Sequence, residues 1–81
     1  MTRLTLYGKP GCHLCEEARA VVEDVRRRHT FELEEIDITR DPGLEARYRE
    51  RIPVIAIDGV ERLELVIETT ELEACLASMA P

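Results

Sequence analysis

The spacing of apolar and polar positions changes several times along this chain, and each change marks an element. In RLTLY (3–7), Leu4 and Leu6 alternate with Arg3 and Thr5, and the run stops at Gly8 and Pro10. That pattern predicts a strand followed by a turn. From Cys12 the period lengthens. Cys15, Ala18, Val22 and Val25 form one helical stripe, widened by Leu14 and Val21, while Glu16, Glu17, Glu23, Asp24, Arg26, Arg27 and Arg28 fall mostly on the other face. Glu23 with Arg27 and Asp24 with Arg28 are i,i+4 pairs in the favourable order, and an acidic first turn and basic last turn suit the helix dipole.

FELEEIDI (31–38) reads as a second strand, and its change of phase between Leu33 and Ile36 suggests a bulge or burial of both faces. Asp41-Pro42 opens a short helix that should run to about Arg51, with Leu44 and Tyr48 as its buried pair. PVIAI (53–57) is continuously apolar, as in a strand covered on both faces. Asp58-Gly59 is a hairpin signal, and ERLELVI (61–67) is its returning partner. Thr70 with Glu73 has the spacing of a capping box, and Leu72, Cys75, Leu76 and Met79 share one face of the helix that follows.

The order is thus β-α-β-α-β-β-α, an α/β fold in one domain spanning residues 1–81, without repeats or linkers. The first two strands should be parallel through a right-handed crossover, and the last two an antiparallel hairpin. Chemistry in an open α/β sheet sits beyond the carboxyl ends of parallel strands, which is where Cys12 falls.

Composition narrows the classes. Hydrophobic residues at 44% against 35% charged are the balance of a soluble globule, and a net charge of −6 argues against nucleic acid or an anionic membrane as partner. No window approaches the ~20 apolar residues of a membrane span, and MTRLTLYG has no apolar signal-peptide core, so a cytoplasmic protein is expected. Three cysteines, an odd number, do not make a disulfide framework; a close pair in a reducing compartment points to catalysis or metal binding.

KPGCHLCEEA (9–18) holds that pair. Helical positions i and i+3 place Cβ atoms about 5–6 Å apart, and a disulfide needs about 3.5–4.5 Å, so a small adjustment closes the bond. Cys12 falls at the helix entrance, where free N–H groups and the positive dipole end favour a thiolate. Cys15 lies one turn deeper on the apolar stripe. Cys12 is therefore the expected nucleophile and Cys15 the resolving thiol. Lys9, the one lysine, lies three residues before Cys12, either favouring the thiolate or an anionic substrate group, or simply solvated in the turn. His13 could lower the Cys12 pKa or point to water. Tetrahedral zinc wants four ligands, and one C-x-x-C with His13, His29 and the distant Cys75 does not assemble them, so no metal is expected. Cys75 reads as a buried hydrophobe.

The strand–YGKPGCHLC–helix opening, the RIPV run entering a strand and the Asp58-Gly59 hairpin together resemble a glutaredoxin of the thioredoxin superfamily, across essentially the whole chain. The resemblance implies a four-stranded mixed sheet flanked by three helices and a cis Ile52-Pro53 peptide facing the cysteines. It implies dithiol–disulfide exchange through Cys12 and Cys15, with Lys9, Leu14, Ile52 and Pro53 contacting substrate or glutathione. Lys9 would hold a glutathione carboxylate and the Ile52 backbone would pair with its cysteinyl part. No bound cofactor is implied; glutathione is a candidate co-substrate, protein or small-molecule disulfides are the substrates, a thioredoxin-reductase-type reductant is the other candidate partner, and a monomer is expected. Three features depart from the family pattern: Leu14 replaces an aromatic, Arg51 replaces a threonine, and Leu63 and Glu64 stand near where a glutathione-binding Gly-Gly pair belongs. Arg40, Arg47, Arg49 and Arg51 form a local basic cluster that could hold a carboxylate in its place or be a solvated face. Two rival functions remain at this stage, a non-catalytic thioredoxin-fold adaptor and an iron–sulfur or zinc carrier.

Overall fold

The computed structural model describes residues 2–79 except the Met79 side chain, whose expected place on the last helix's apolar face lies outside what is described. The elements run β1 (Arg3–Gly8), α1 (His13–Arg26), β2 (Glu32–Asp37), a 3-10 turn (Ile38–Arg40), α2 (Pro42–Tyr48), β3 (Val54–Ile57), β4 (Val60–Glu64) and α3 (Thr69–Met79). One sheet has the order β2-β1-β3-β4. β1 runs parallel to β2 and antiparallel to β3, and β3 runs antiparallel to β4. The fold is the expected mixed α/β arrangement.

The apolar run of β3 is explained by what covers it. Ile55 and Ile57 pack with Leu4, Leu6, Val22, Val25 and Leu72, the cluster under α1 and α3, while Val54 packs with Ile38, Tyr48 and Ile52 beside α2. Each fully buried Val, Leu or Ile contributes about 1.5–3 kcal/mol relative to exposure.

Several boundaries differ from the pattern-based expectation. β2 pairs with β1 without a register shift, so its change of phase is no bulge; Leu33 packs on the main core and Ile36 faces a surface pocket. Ile38 leaves the strand because the Asp37 carboxylate accepts from the Thr39 N–H and hydroxyl, turning the chain into a 3-10 turn. The bulge lies in the hairpin instead, between Ile55 and Ala56, whose partners are Leu63 and Glu61, leaving Arg62 as the extra residue. β4 ends at Glu64 because Leu65 adopts φ +67°. α2 ends at Tyr48, and of its expected pair Tyr48 is buried while Leu44 is only partly so. Asp41 caps it as predicted, accepting from the Gly43 and Leu44 N–H groups. Thr70 lies inside α3 rather than capping it, and the Glu73 carboxylate turns to Arg28 and His29 at the end of α1. Of the two pairs expected on α1, Asp24–Arg28 forms at 3.1 Å.

Candidate redox site

Register brings the site together. Tyr7 of β1 stands opposite Val54 of β3 in an antiparallel pair, so the cysteine turn leaving β1 and the Ile52–Pro53 segment entering β3 emerge at the same end of the sheet. The Ile52–Pro53 peptide is cis, as the resemblance implied. Cys15, Ile52, Tyr48 and Val54 share one buried cluster, with Cys12 and Tyr7 packed against it.

The turn between β1 and α1 depends on Gly11, at φ +76°, a conformation that disfavours any side chain. Cys12 is the N-cap of α1: its backbone is extended, and its Sγ accepts the Cys15 N–H at 3.2 Å. The two cysteines are joined as a disulfide with Cα atoms 5.2 Å apart. Cys12 is half-buried and Cys15 buried, the asymmetry expected from the stripe. An N-cap acceptor next to free N–H groups is where a thiolate is most stabilised. Behind the disulfide, a Cβ built on Gly8 would lie 3.1 Å from the Cys15 Sγ, so Gly8 is the residue that lets this sulfur sit against β1.

Around the disulfide, the residues singled out from sequence differ in what they do. Lys9 is exposed and lines, with Gly8, Cys15, Glu16 and Asp37 among others, a pocket of about 470 Å³ between β1, α1 and β2. His13 is exposed and pairs with Glu17 one turn on at 2.7 Å. Leu14 is exposed on the first turn of α1. The Ile52 N–H donates to the Tyr48 carbonyl at 3.2 Å, so a substrate strand laid along Ile52 would meet an N–H already engaged. Cys75 is partly buried against the main core, in a different cluster from the pair. Among the described residues no three His, Cys, Asp or Glu side chains gather as a cation-binding group. No helix among them is long and apolar enough to cross a membrane.

Of the basic cluster, Arg40, Arg47 and Arg51 form ion pairs, and Arg49 is exposed at the C-cap of α2. Arg51 reaches Glu61 at 2.5 Å and Glu64 at 3.1 Å; Arg47 reaches Glu61 at 3.2 Å; Arg40 approaches Asp37 at 4.0 Å. Tyr48 donates its hydroxyl to Glu61 at 2.8 Å and stacks on Tyr7 with ring centroids 4.5 Å apart. Hydrogen bonds from Arg51, then Tyr48, hold the Glu61 carboxyl below the usual range. Burial, then the Glu61 carboxylate, push the Tyr48 phenol up to about 12. Glu61 was not singled out from sequence, nor was its pairing with Glu64 around one arginine, because at three residues apart the two read as opposite faces of a strand. The extra residue at Arg62 brings both to one arginine.

Comparison with known proteins agrees with this geometry. A family model described as "Glutaredoxin-like domain (DUF836)" matches residues 3–77. The structure of protein XcR50 from X. campestris is 32% identical, with a TM-score of 0.78 over 96% of this chain and 99% of that one. The Mycobacterium tuberculosis protein Rv0508 is 26% identical over 80 residues, covering 93% of this chain and 82% of its own length. A mutant thioredoxin from Halobacterium salinarum, 22% identical, shares the fold with a TM-score of 0.73 over 99% of this chain and 78% of that one.

Proposed function

The chain belongs to the glutaredoxin-like domain family, and from that premise we propose that it is a thiol–disulfide oxidoreductase that reduces disulfides through a Cys12/Cys15 cycle. The observation that carries the reading is the Cys12–Cys15 disulfide at the N-cap of α1, with Cys12 the more accessible sulfur and packed against the Ile52–Pro53 segment's cluster. In the reduced protein the Cys12 thiolate attacks one sulfur of a substrate disulfide, forming a mixed disulfide and releasing one thiolate, which takes up a proton. Cys15, after losing its proton, attacks the Cys12 sulfur. The Cys12–Cys15 bond forms, the second half of the substrate leaves as a thiol, and two electrons have passed to it. Two glutathione molecules or a dithiol reductant then restore the dithiol. Such a cycle suits a reducing compartment such as the cytoplasm.

The test is mass spectrometry of single variants mixed with a disulfide substrate. Cys15→Ser should accumulate a mixed disulfide on Cys12, and Cys12→Ser should form none and turn over no substrate. Adducts on Cys15 in the Cys12 variant, with none on Cys12 in the other, would reverse the roles. Absence of adducts in both would favour a non-catalytic adaptor.

A further inference from the structure

Two arginines stand beside the candidate site, and both are matched by carboxylates. Arg51 directly precedes Ile52, which packs in the cluster that holds Cys15. Its guanidinium bridges Glu61 and Glu64, and Arg47 shares Glu61. The acidic side is tied to the same segment, because Leu65, the residue after Glu64, donates its N–H to the Pro53 carbonyl at 2.8 Å. Formally Arg47, Arg51, Glu61 and Glu64 sum to zero.

Exposed ion pairs contribute about 0–1 kcal/mol to stability, so four charges set here are weakly explained by folding alone. Their field acts on whatever approaches Cys12. Without the two carboxylates, the arginines would present two positive charges to a substrate laid along Ile52–Pro53. With them, that attraction is absent, and the chain's net charge of −6 opposes anions further.

We propose that Glu61 and Glu64 act as a charge filter on substrate choice: by neutralising Arg47 and Arg51 they remove the attraction for anionic disulfides, so that the site favours neutral or cationic disulfides over anionic small molecules. The filter rests on the oxidoreductase reading, and Glu64 and Arg51 are its specificity-determining residues.

A charge series tests it. The second-order rate at which the reduced protein is oxidised is measured for wild type, Glu64→Gln and Arg51→Gln. The probes are oxidised glutathione (anionic), bis(2-hydroxyethyl) disulfide (neutral) and cystamine (cationic). One unit charge at roughly 10 Å, partly screened, should change the rate about threefold. Glu64→Gln should therefore speed oxidised glutathione and slow cystamine, Arg51→Gln should do the reverse, and the neutral disulfide should stay constant. High salt should flatten all the differences. Glu64 is exposed, so its variant keeps the test open even if Arg51→Gln unfolds. Three probes moving together, or none moving, would overturn the filter. Failure of the underlying reading looks different: wild type would then react with no disulfide faster than Cys12→Ser does, and the filter would fall with it.

Discussion

Gly8 and Leu65 mark opposite demands on single residues near the disulfide. At Gly8 a side chain would be crowded: an added Cβ would meet the Cys15 Sγ at 3.1 Å and its Cβ at 3.2 Å. The sulfur is not a flexible chain end that can swing away while it is bonded to Cys12. Gly8→Ala should destabilise the oxidised protein by about 1–3 kcal/mol, as overpacking does. The reduced protein should lose less, since a free Cys15 thiol can change rotamer. Thermal melts of both forms check this; equal losses would mean that the clash is relieved by β1 rather than by the sulfur. At Leu65 the reverse holds: a leucine occupies φ +67°, a region that costs a side chain about 1–2 kcal/mol. The resemblance puts a Gly-Gly pair near Leu63 and Glu64. Leu63 in fact packs on the core and Glu64 pairs with Arg51, so the glycine-like conformation falls at Leu65. Neither the bulge at Arg62 nor the left-handed residue has a signature in RLEL, so the sequence alone does not place it.

At the scale of elements, patterns that depend on neighbours in sequence were readable, and those that depend on distant partners were not. The Asp41-Pro42 start, the Asp58-Gly59 turn and the α1 stripe are local chemistry, and each forms. Thr70 and Glu73 have capping-box spacing, but Glu73 is drawn to Arg28 at 3.2 Å and His29 at 3.1 Å, fastening α3 to the end of α1. A pH dependence follows. The Arg28 hydrogen bond chiefly, then that of His29, lowers the Glu73 carboxyl from its ordinary 4.5. A depressed carboxylate gives stability that is fully present above that ordinary value and is lost as pH falls through the lower folded-state value. Urea midpoints of wild type and Glu73→Gln should therefore differ at neutral pH and converge in acid. A difference that persists at the acid end would show that Glu73 stabilises by packing or geometry, not by charge.

Over the whole molecule, the parallel β1–β2 pair, the β3–β4 hairpin and the cysteine pair at the carboxyl end of β1 were legible, because hydrophobic period and turn chemistry constrain them; the sheet order that sets β3 antiparallel beside β1 was not. Nor was the charge balance beside the cluster that holds Cys15, which appears only once Glu61 and Glu64 meet Arg51 across the fold. Whether these parts work as one redox device comes down to the behaviour of the two site cysteines as a couple. The protein should be equilibrated across a series of dithiothreitol redox buffers, alkylated and weighed, with the modified cysteines mapped. Cys12 and Cys15 should gain and lose their alkyl groups together, along a two-electron curve with a tenfold change in the equilibrium ratio per ~30 mV, while Cys75 stays alkylated throughout. Cys12 and Cys15 remaining alkylated across the whole series, or titrating independently of one another, would contradict the account.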